Sequence, residues 1–180
     1  MPRSLEEFKS SFTTDLARAN RFEANIYVPL TLFSQLDVTS RNLSLRCETA
    51  QLPGRTIATM DRKTYGPIEK LPYISTYNDI DLTFILDGDM KQKYFFDAWL
   101  DKVNPKTTNN MNYRDQYSTS IIINQYDVAN KLRYSVELVQ AYPISINQLD
   151  LDWGSDSPHK LTVTFVYTYW QNNSFFNYII

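Results

Sequence analysis

The sequence predicts a mainly β fold with a minor helical part: an antiparallel β-sandwich or open barrel carrying one flanking helix and an N-terminal helix. Three observations point there. Apolar and polar residues alternate with a period of two in several separated runs, the spacing of half-buried strands. Only two segments carry the three-and-four spacing of an amphipathic helix face. The composition holds 13 Tyr and 10 Phe but only 4 Gly in 180 residues, the aromatic bias of pleated surfaces.

The first helix is read from Ser4, which makes a capping box with Glu7. Leu5, Phe8, Phe12 and Leu16 then stack on one face. From Phe22 the period changes to two: Phe22, Ala24, Ile26 and Val28 alternate with Glu23, Asn25 and Tyr27, giving a strand. After a polar loop from Pro29 to Asn42, Leu43, Leu45 and Cys47 alternate with Ser44, Arg46 and Glu48, predicting a second strand that ends at Leu52-Pro53-Gly54. Residues 55–78 carry Arg55, Arg62 and Lys63 and are broken by Gly66-Pro67 and Leu71-Pro72, so they read as a long loop or an irregular hairpin. Ile80, Leu82, Phe84 and Leu86 form the next strand.

Asp87-Gly88-Asp89 closes that strand and opens the second helix, with Asp89 as N-cap and Gln92 three residues on. Phe95, Trp99 and Val103 make its stripe, and Asn104-Pro105 ends it. A polar loop from Lys106 to Asp115 leads to Tyr117–Tyr126, where Ile121, Ile122 and Ile123 imply a strand covered on both faces. Asp127 to Lys131 is a turn, and Leu132, Tyr134, Val136 and Leu138 complete a long β-hairpin that Pro143 ends. Ile144 to Leu149 is a short extended piece, and the last strand runs from Leu161 to Trp170. Beyond it, Phe175-Phe176-Asn177-Tyr178-Ile179-Ile180 is apolar enough to gain from docking. These readings divide the chain into an N-terminal helical arm (1–20), a β-sandwich domain (21–170) and an apolar C-terminal tail (171–180).

Composition excludes several functions. One Cys and one His leave no disulfide framework, Cys-based zinc site or His cluster. A net charge of −2 argues against a chain built to grip nucleic acid. No P-loop, dinucleotide fingerprint or EF-hand loop is present, so no cofactor is expected and no metal site either. No stretch approaches the ~20 apolar residues of a membrane span, and the opening residues lack the apolar centre of a signal peptide. The compartment expected is therefore the cytoplasm, or an assembly built there.

The residues that could carry catalysis have simpler readings. Ser155, Ser157, Asp156 and His159 are neighbours in one polar loop and lack a nucleophile elbow. Asp150 and Asp152 could form a carboxylate pair, but a solvated turn explains them. Asp87 and Asp89 suit turn and cap chemistry better than a metal, and Cys47 lies on the apolar side of its alternation, as a small buried hydrophobe does. The expectation is that the chain is not an enzyme. A hydrolase using Asp150, Asp152 or His159 and a monomeric binding module with an aromatic platform stand as alternatives.

Several stretches together resemble a known family. They are Leu16-Ala17-Arg18-Ala19-Asn20-Arg21-Phe22, Cys47-Glu48-Thr49-Ala50-Gln51-Leu52-Pro53-Gly54, Tyr77 to Phe84, the helix around Phe95-Phe96-Asp97-Ala98-Trp99, Pro143 to Trp153, and Leu161 to Trp170. In this order and spacing, over residues 16–170, the chain resembles the tail tube protein of contractile-tailed bacteriophages. The resemblance implies a β-sandwich protomer, hexameric rings whose inner strands join into one β-barrel, and rings stacked into a tube through which DNA passes at ejection without specific binding. It implies no catalysis, no cofactor and no membrane. The implied partners are further copies of the chain, the tail sheath protein, baseplate or tube-initiator proteins and tail-terminator proteins, in a virion assembled in the host cytoplasm. A tube-initiator ring and the tube of a related contractile injection system are the alternatives within the family. Two departures stand out: a long segment between the first strand and Cys47, and the continuation past Trp170.

In such a tube the polar sides of the long hairpin, Ser118, Ser120 and Asn124 with Arg133, Ser135 and Glu137, are expected to face the lumen. Subunit contacts are expected at Phe8 and Phe12, at Arg55, Arg62, Lys63 and Tyr65, and at Phe175, Phe176, Tyr178, Ile179 and Ile180.

Overall fold

A computed structural model of the chain describes residues 5–11, 16–29, 38–154 and 156–173. Among the described residues nine strands and four helices follow one another as α1 (Leu5–Ser10), β1 (Phe22–Ile26), α2 (Ser40–Arg46), β2 (Cys47–Ala50), β3 (Thr56–Arg62), β4 (Glu69–Thr76), β5 (Ile80–Ile85), α3 (Lys91–Val103), α4 (Arg114–Tyr117), β6 (Thr119–Tyr126), β7 (Leu132–Ile146), β8 (Lys160–Val166) and β9 (Tyr169–Asn172).

The spine is a two-stranded ribbon. β7 pairs with β8 through Tyr142–Ile146 and with β9 through Val136–Val139, so β8 and β9 run in succession along one edge of β7. The ribbon bends where Gln140 adopts the left-handed φ of 55° and where residues 167–168 interrupt the partner strand. On one side of the bend the order is β1-β6-β7-β9, and on the other it is β7-β8-β5-β2. All the pairings are antiparallel. Corners made by bent strands are how one sheet folds over into two packed layers.

Arg114 holds this corner. Its guanidinium donates to the Gln140 carbonyl at 3.4 Å and to Thr168 Oγ1 at 2.7 Å. The Thr168 hydroxyl in turn donates to Gln140 Oε1 at 2.9 Å, and the Arg114 charge lies 5.8 Å from the centre of the Tyr142 ring.

The core lies between the layers. Leu82, Phe84, Leu161, Val163 and Phe165 face Ile26, Ile121, Ile123, Val136 and Leu138, all buried. Each such side chain contributes about 1.5–3 kcal/mol by leaving water. α3 adds Phe95, Phe96 and Trp99, with the Phe96 ring tilted against Phe84 at 5.0 Å and edge-on to Phe165 at 6.1 Å. Trp99 Nε1 donates to the Tyr117 carbonyl at 2.8 Å, so the buried indole keeps its hydrogen bond.

The fold class is the expected one, and several elements differ in detail. Residues 40–46 are helical rather than extended. Thr39 caps the helix by accepting from the Asn42 amide, and Leu43 is fully buried while Leu45 is 73% exposed. The alternation is coincidental, because residues two apart fall on nearly opposite sides of a helix. α3 begins after Met90, in the left-handed region at φ 54°, and not from an Asp89 cap. Asp89 instead meets Lys91 at 3.5 Å.

β7 passes through Pro143. Beyond Ala141 it pairs only with β8, and an edge strand tolerates a missing donor. Ile122 is only half-buried, so β6 is not covered on both faces. The run from Leu161 to Trp170 is divided at the corner into β8 and β9. α1 buries none of its residues, and Leu5, Phe8 and Leu16 are exposed. Ser4, Phe12 and the apolar stretch from Phe175 to Ile180 lie outside the described residues.

Residues 56–76 are a regular hairpin. β3 and β4 pair over their length with a single register shift, and they form a two-stranded sheet of their own. Every residue of β3 is exposed. Pro72 is accommodated beside the shift, where the ribbon has no second neighbour.

Candidate assembly surfaces

Three surfaces have the chemistry of contact or conduit. The first is the side of the β1-β6-β7-β9 layer turned away from the core. In β6, Ile121 and Ile123 point inward, so Ser120, Ile122 and Asn124 point outward. In β7, Val136 and Leu138 are buried, which turns Ser135 and Glu137 outward. Registry aligns Glu23 with Asn124, Asn124 with Ser135, and Glu137 with Gln171.

These side chains bind one another across the strands. Ser135 donates to Asn124 Oδ1 at 2.7 Å. Glu137 accepts from Gln171 Nε2 at 2.9 Å and from Asn173 Nδ2 at 3.1 Å. Donation by Gln171, then by Asn173, holds the Glu137 carboxyl below its ordinary range. The Tyr126 hydroxyl donates to Glu23 at 2.9 Å; burial first, then that carboxylate, raises its phenol above the ordinary range.

Thus Ser120, Asn124, Ser135 and Glu137 come together on one polar face, with Ser135 itself buried beneath its neighbours. Ser118 sits one step outside β6, closing α4 through its amide to Arg114. Arg133 lies at the hairpin turn, paired with Asp127 at 2.8 Å. The face also takes Glu23 and Asn25 from β1 and Gln171 from β9. The β1 alternation contained the first two; the third depends on the β9 pairing, which only the folded chain reveals.

The second surface is the β3–β4 arm. It carries Arg55, Arg62, Lys63 and Tyr65, and it adds Met60, Ile68, Tyr73 and Ile74 as exposed apolar groups. Its root is tied down. The Asp81 amide donates to Gln51 Oε1 at 3.2 Å, Trp170 Nε1 to the Gly54 carbonyl at 3.2 Å, and Arg55 to Ser75 Oγ at 2.9 Å.

The third is the loop between β7 and β8. Asp150, Asp152 and His159 line one open groove there of about 600 Å³. Asp152 is engaged in the turn, accepting from the Gly154 amide at 3.0 Å, and the His159 carbonyl takes the Leu86 amide at 3.0 Å. No hydrogen bond joins the His159 ring to either carboxylate, and Ser155 lies outside the described residues. Among the described residues no group of His, Cys, Asp and Glu could hold a metal ion. Cys47 packs against the core, and burial pushes its thiol up to about 12, which leaves it a poor nucleophile. No described helix is long and apolar enough to cross a membrane.

A comparison with curated proteins finds no match. Among solved structures the fold is similar to a chain of the sheath/tube terminator of an extracellular contractile injection system, PVC, in its extended state. The TM-score is 0.64 at 13% identity, over 89% of this chain and 99% of that one. It is similar also to a chain of the anti-feeding prophage baseplate, with TM-score 0.64 and 14% identity, over 89% and 97%. A chain of the PVC sheath–tube complex matches at TM-score 0.63 and 14% identity, over 91% and 96%. The mainly β fold class read from the strand pattern is therefore shared with these chains. The family model of the phage tail tube protein matches residues 17–173, and the chain belongs to that family.

Proposed function

We propose that the chain is the repeated structural subunit of the inner tube of a contractile phage tail, forming hexameric rings that stack into a conduit for DNA ejection. The observation that carries this is the β1-β6-β7-β9 layer. Among the described residues its two outer strands, β1 and β9, each have one open edge. An open edge on a monomer is a liability, and a barrel closed through neighbouring copies removes it. Pairing the β9 edge of one copy with the β1 edge of the next would continue the wall around a ring.

The wall's outward face then lines the lumen, with Ser120, Asn124, Ser135 and Glu137 on it and Ser118 and Arg133 at its two rims. Hydroxyls, amides and carboxylates suit a passage that must release phosphates, because affinity for DNA follows the number of cations presented to it. Its one cation among these residues, Arg133, is already paired.

On this reading the tube domain runs from residue 21 past 170 to the end of β9 at Asn172, because Gln171 belongs to the wall, while 1–20 and the residues beyond β9 are appended contact segments. Phe8 and Phe12, the arm residues Arg55, Arg62, Lys63 and Tyr65, and the apolar residues Phe175, Phe176, Tyr178, Ile179 and Ile180 make contacts between copies. Sheath, baseplate and terminator proteins are the other partners, and the role is structural rather than catalytic. Negative-stain electron microscopy over a concentration series tests it. Six-fold rings or hollow tubes are expected. A protein that stays monodisperse at high concentration, alone and with tail baseplates as nuclei, would overturn the reading.

A further inference from the structure

We propose that the apolar C-terminal segment, residues 174–180, seats in a groove at the β6–β7 turn of the next copy around the ring. The inference deepens the ring-and-tube reading and rests on it. Three observations carry it, the first being the groove. Leu16, Ala17, Tyr126, Val128 and Ala129 line an open trough of about 650 Å³, with Arg133 at its edge. Val128 is 42% exposed at the tip of the turn. The turn itself is built by its polar residues. Asp127 Oδ1 accepts the Lys131 amide at 3.0 Å, and Asn130 takes the left-handed φ of 59°. The two walls are latched together by three hydrogen bonds. Gln125 Nε2 donates to the Arg18 carbonyl at 2.7 Å, the Tyr126 amide to the Arg21 carbonyl at 2.8 Å, and Arg21 to Asn130 Oδ1 at 3.1 Å. A trough already formed spares its occupant the cost of ordering it.

The second observation is chemical match. Five of the six residues from Phe175 to Ile180 are Phe, Tyr or Ile, and no Asp, Glu, Lys or Arg follows Lys160. The trough offers methyl groups and a phenol ring, and the Arg133 charge at its edge is already paired with Asp127 at 2.8 Å. An uncharged apolar segment is therefore the occupant that leaves no ion stranded on either side.

The third is placement. β9 runs antiparallel to β7, toward the turn, and stops at Asn172, level through Val136 and Ile123 with Ala24 of β1. Leu16 and Ala17 of the trough precede β1. Within one copy β9 and β1 are opposite edges of the wall, with β6 and β7 between them. In a ring the β9 edge meets the β1 edge of the next copy, so it is that copy's trough that lies across the seam from the root of the segment. Seven residues span about 20 Å when extended, enough to carry Phe175 to Ile180 past the start of β1. The strap adds a side-chain lock to a seam whose strands are only four and five residues long. Each copy gives one segment and receives one, so the contact is heterologous and closes with the ring.

Cross-linking tests the pairing in a Cys47→Ala background, which removes the chain's one cysteine. Val128→Cys chains are mixed with Phe176→Cys or Ile179→Cys chains, assembled, and treated with a short bismaleimide. The mixtures are expected to yield covalent dimers that no variant yields alone. A chain carrying Val128→Cys and Phe176→Cys together is expected to give a ladder that ends at the hexamer. Rings or tubes that form without a cross-link from either tail position would overturn the inference and leave the tube reading standing. An internally linked monomer would place the segment in its own chain's trough, and a ladder running past the hexamer would place it between rings. Either result overturns the assignment to the next copy around the ring. If the unsubstituted chain forms neither rings nor tubes, the tube reading itself fails.

Discussion

Shaving the apolar face of the arm separates its role in assembly from any role in folding. In β3 the residues Ala58 and Met60 share one face, and registry places Ile74 and Leu71 opposite them. Met60 and Ile74 are each 52% exposed. Full burial of such side chains is worth about 1.5–3 kcal/mol, so docking the exposed half of each gains roughly 1 kcal/mol. Met60→Thr with Ile74→Thr removes about 2 kcal/mol per contact, a rise of about 30-fold in the critical concentration for assembly. Threonine is itself a good strand former, so the ribbon is preserved. The monomer should hold within about 0.5 kcal/mol, as exposed positions do, whereas Leu138→Ala in the core should cost about 2–5 kcal/mol. Pelleting across a dilution series reads the first quantity and urea unfolding the second. Ile57→Thr, on the opposite face, reports whether that side docks instead. The reasoning is refuted if neither face moves the critical concentration, or if shaving the arm costs the monomer more than about 1 kcal/mol.

Two further outcomes follow from the corner and the wall. Arg114→Met removes two charged hydrogen bonds at the bend, and it relieves a buried Nε that has no partner. The net loss should be about 2 kcal/mol, read as a lower urea midpoint at unchanged slope, and an unshifted midpoint would show that the guanidinium does not hold the bend. Glu137 has its carboxyl held below the ordinary 4.5 by Gln171 and Asn173. A depressed carboxylate contributes stability that is present above its unfolded value and lost as pH falls through the folded one. Glu137→Gln should therefore flatten the acid limb of the stability profile below about pH 4.5, and matching acid limbs in variant and parent would refute the attribution.

The parts of the fold legible in the sequence are those where one periodicity had no rival. Ile80 to Leu86 and Leu132 to Leu138 alternate cleanly, and both became strands with Ile80, Leu82, Phe84, Val136 and Leu138 buried, while Leu132 at the turn stays exposed. The helix around Phe95 and Trp99 was equally plain. Where a short segment suits two periods, the neighbours decide. Leu43 and Leu45 alternate as a strand would, yet α2 packs on β1 and β5 with Leu43 buried. Breakers misled in the opposite direction. Pro72 and Pro143 read as strand ends, but both sit in ribbons with a free side, a fact of topology that no local window contains. The polar face proposed to line the lumen was half legible: alternation separated Ser120 and Asn124 from the isoleucines, while the Gln171 and Asn173 amides on Glu137 depend on a strand pairing some 34 residues away in sequence.

A net charge of −2 conceals how the charges are sorted. Cations gather on the arm, and carboxylates gather in the loop at the other end of the same sheet. The wall between the two open edges keeps mostly hydroxyls and amides, whose few charges are already paired or hydrogen-bonded. A uniform surface of the same net charge would be as soluble, but it would not tell one copy's end from the other's. In the stacked assembly proposed above, such sorting would make unlike ends attract and like ends repel, and so set the direction of growth. It also leaves the polar wall without a cluster of cations on which DNA could lodge. The bend at Gln140 makes both arrangements available to one chain, because the same strand belongs to the wall before it and to the sheet that bears arm and loop after it.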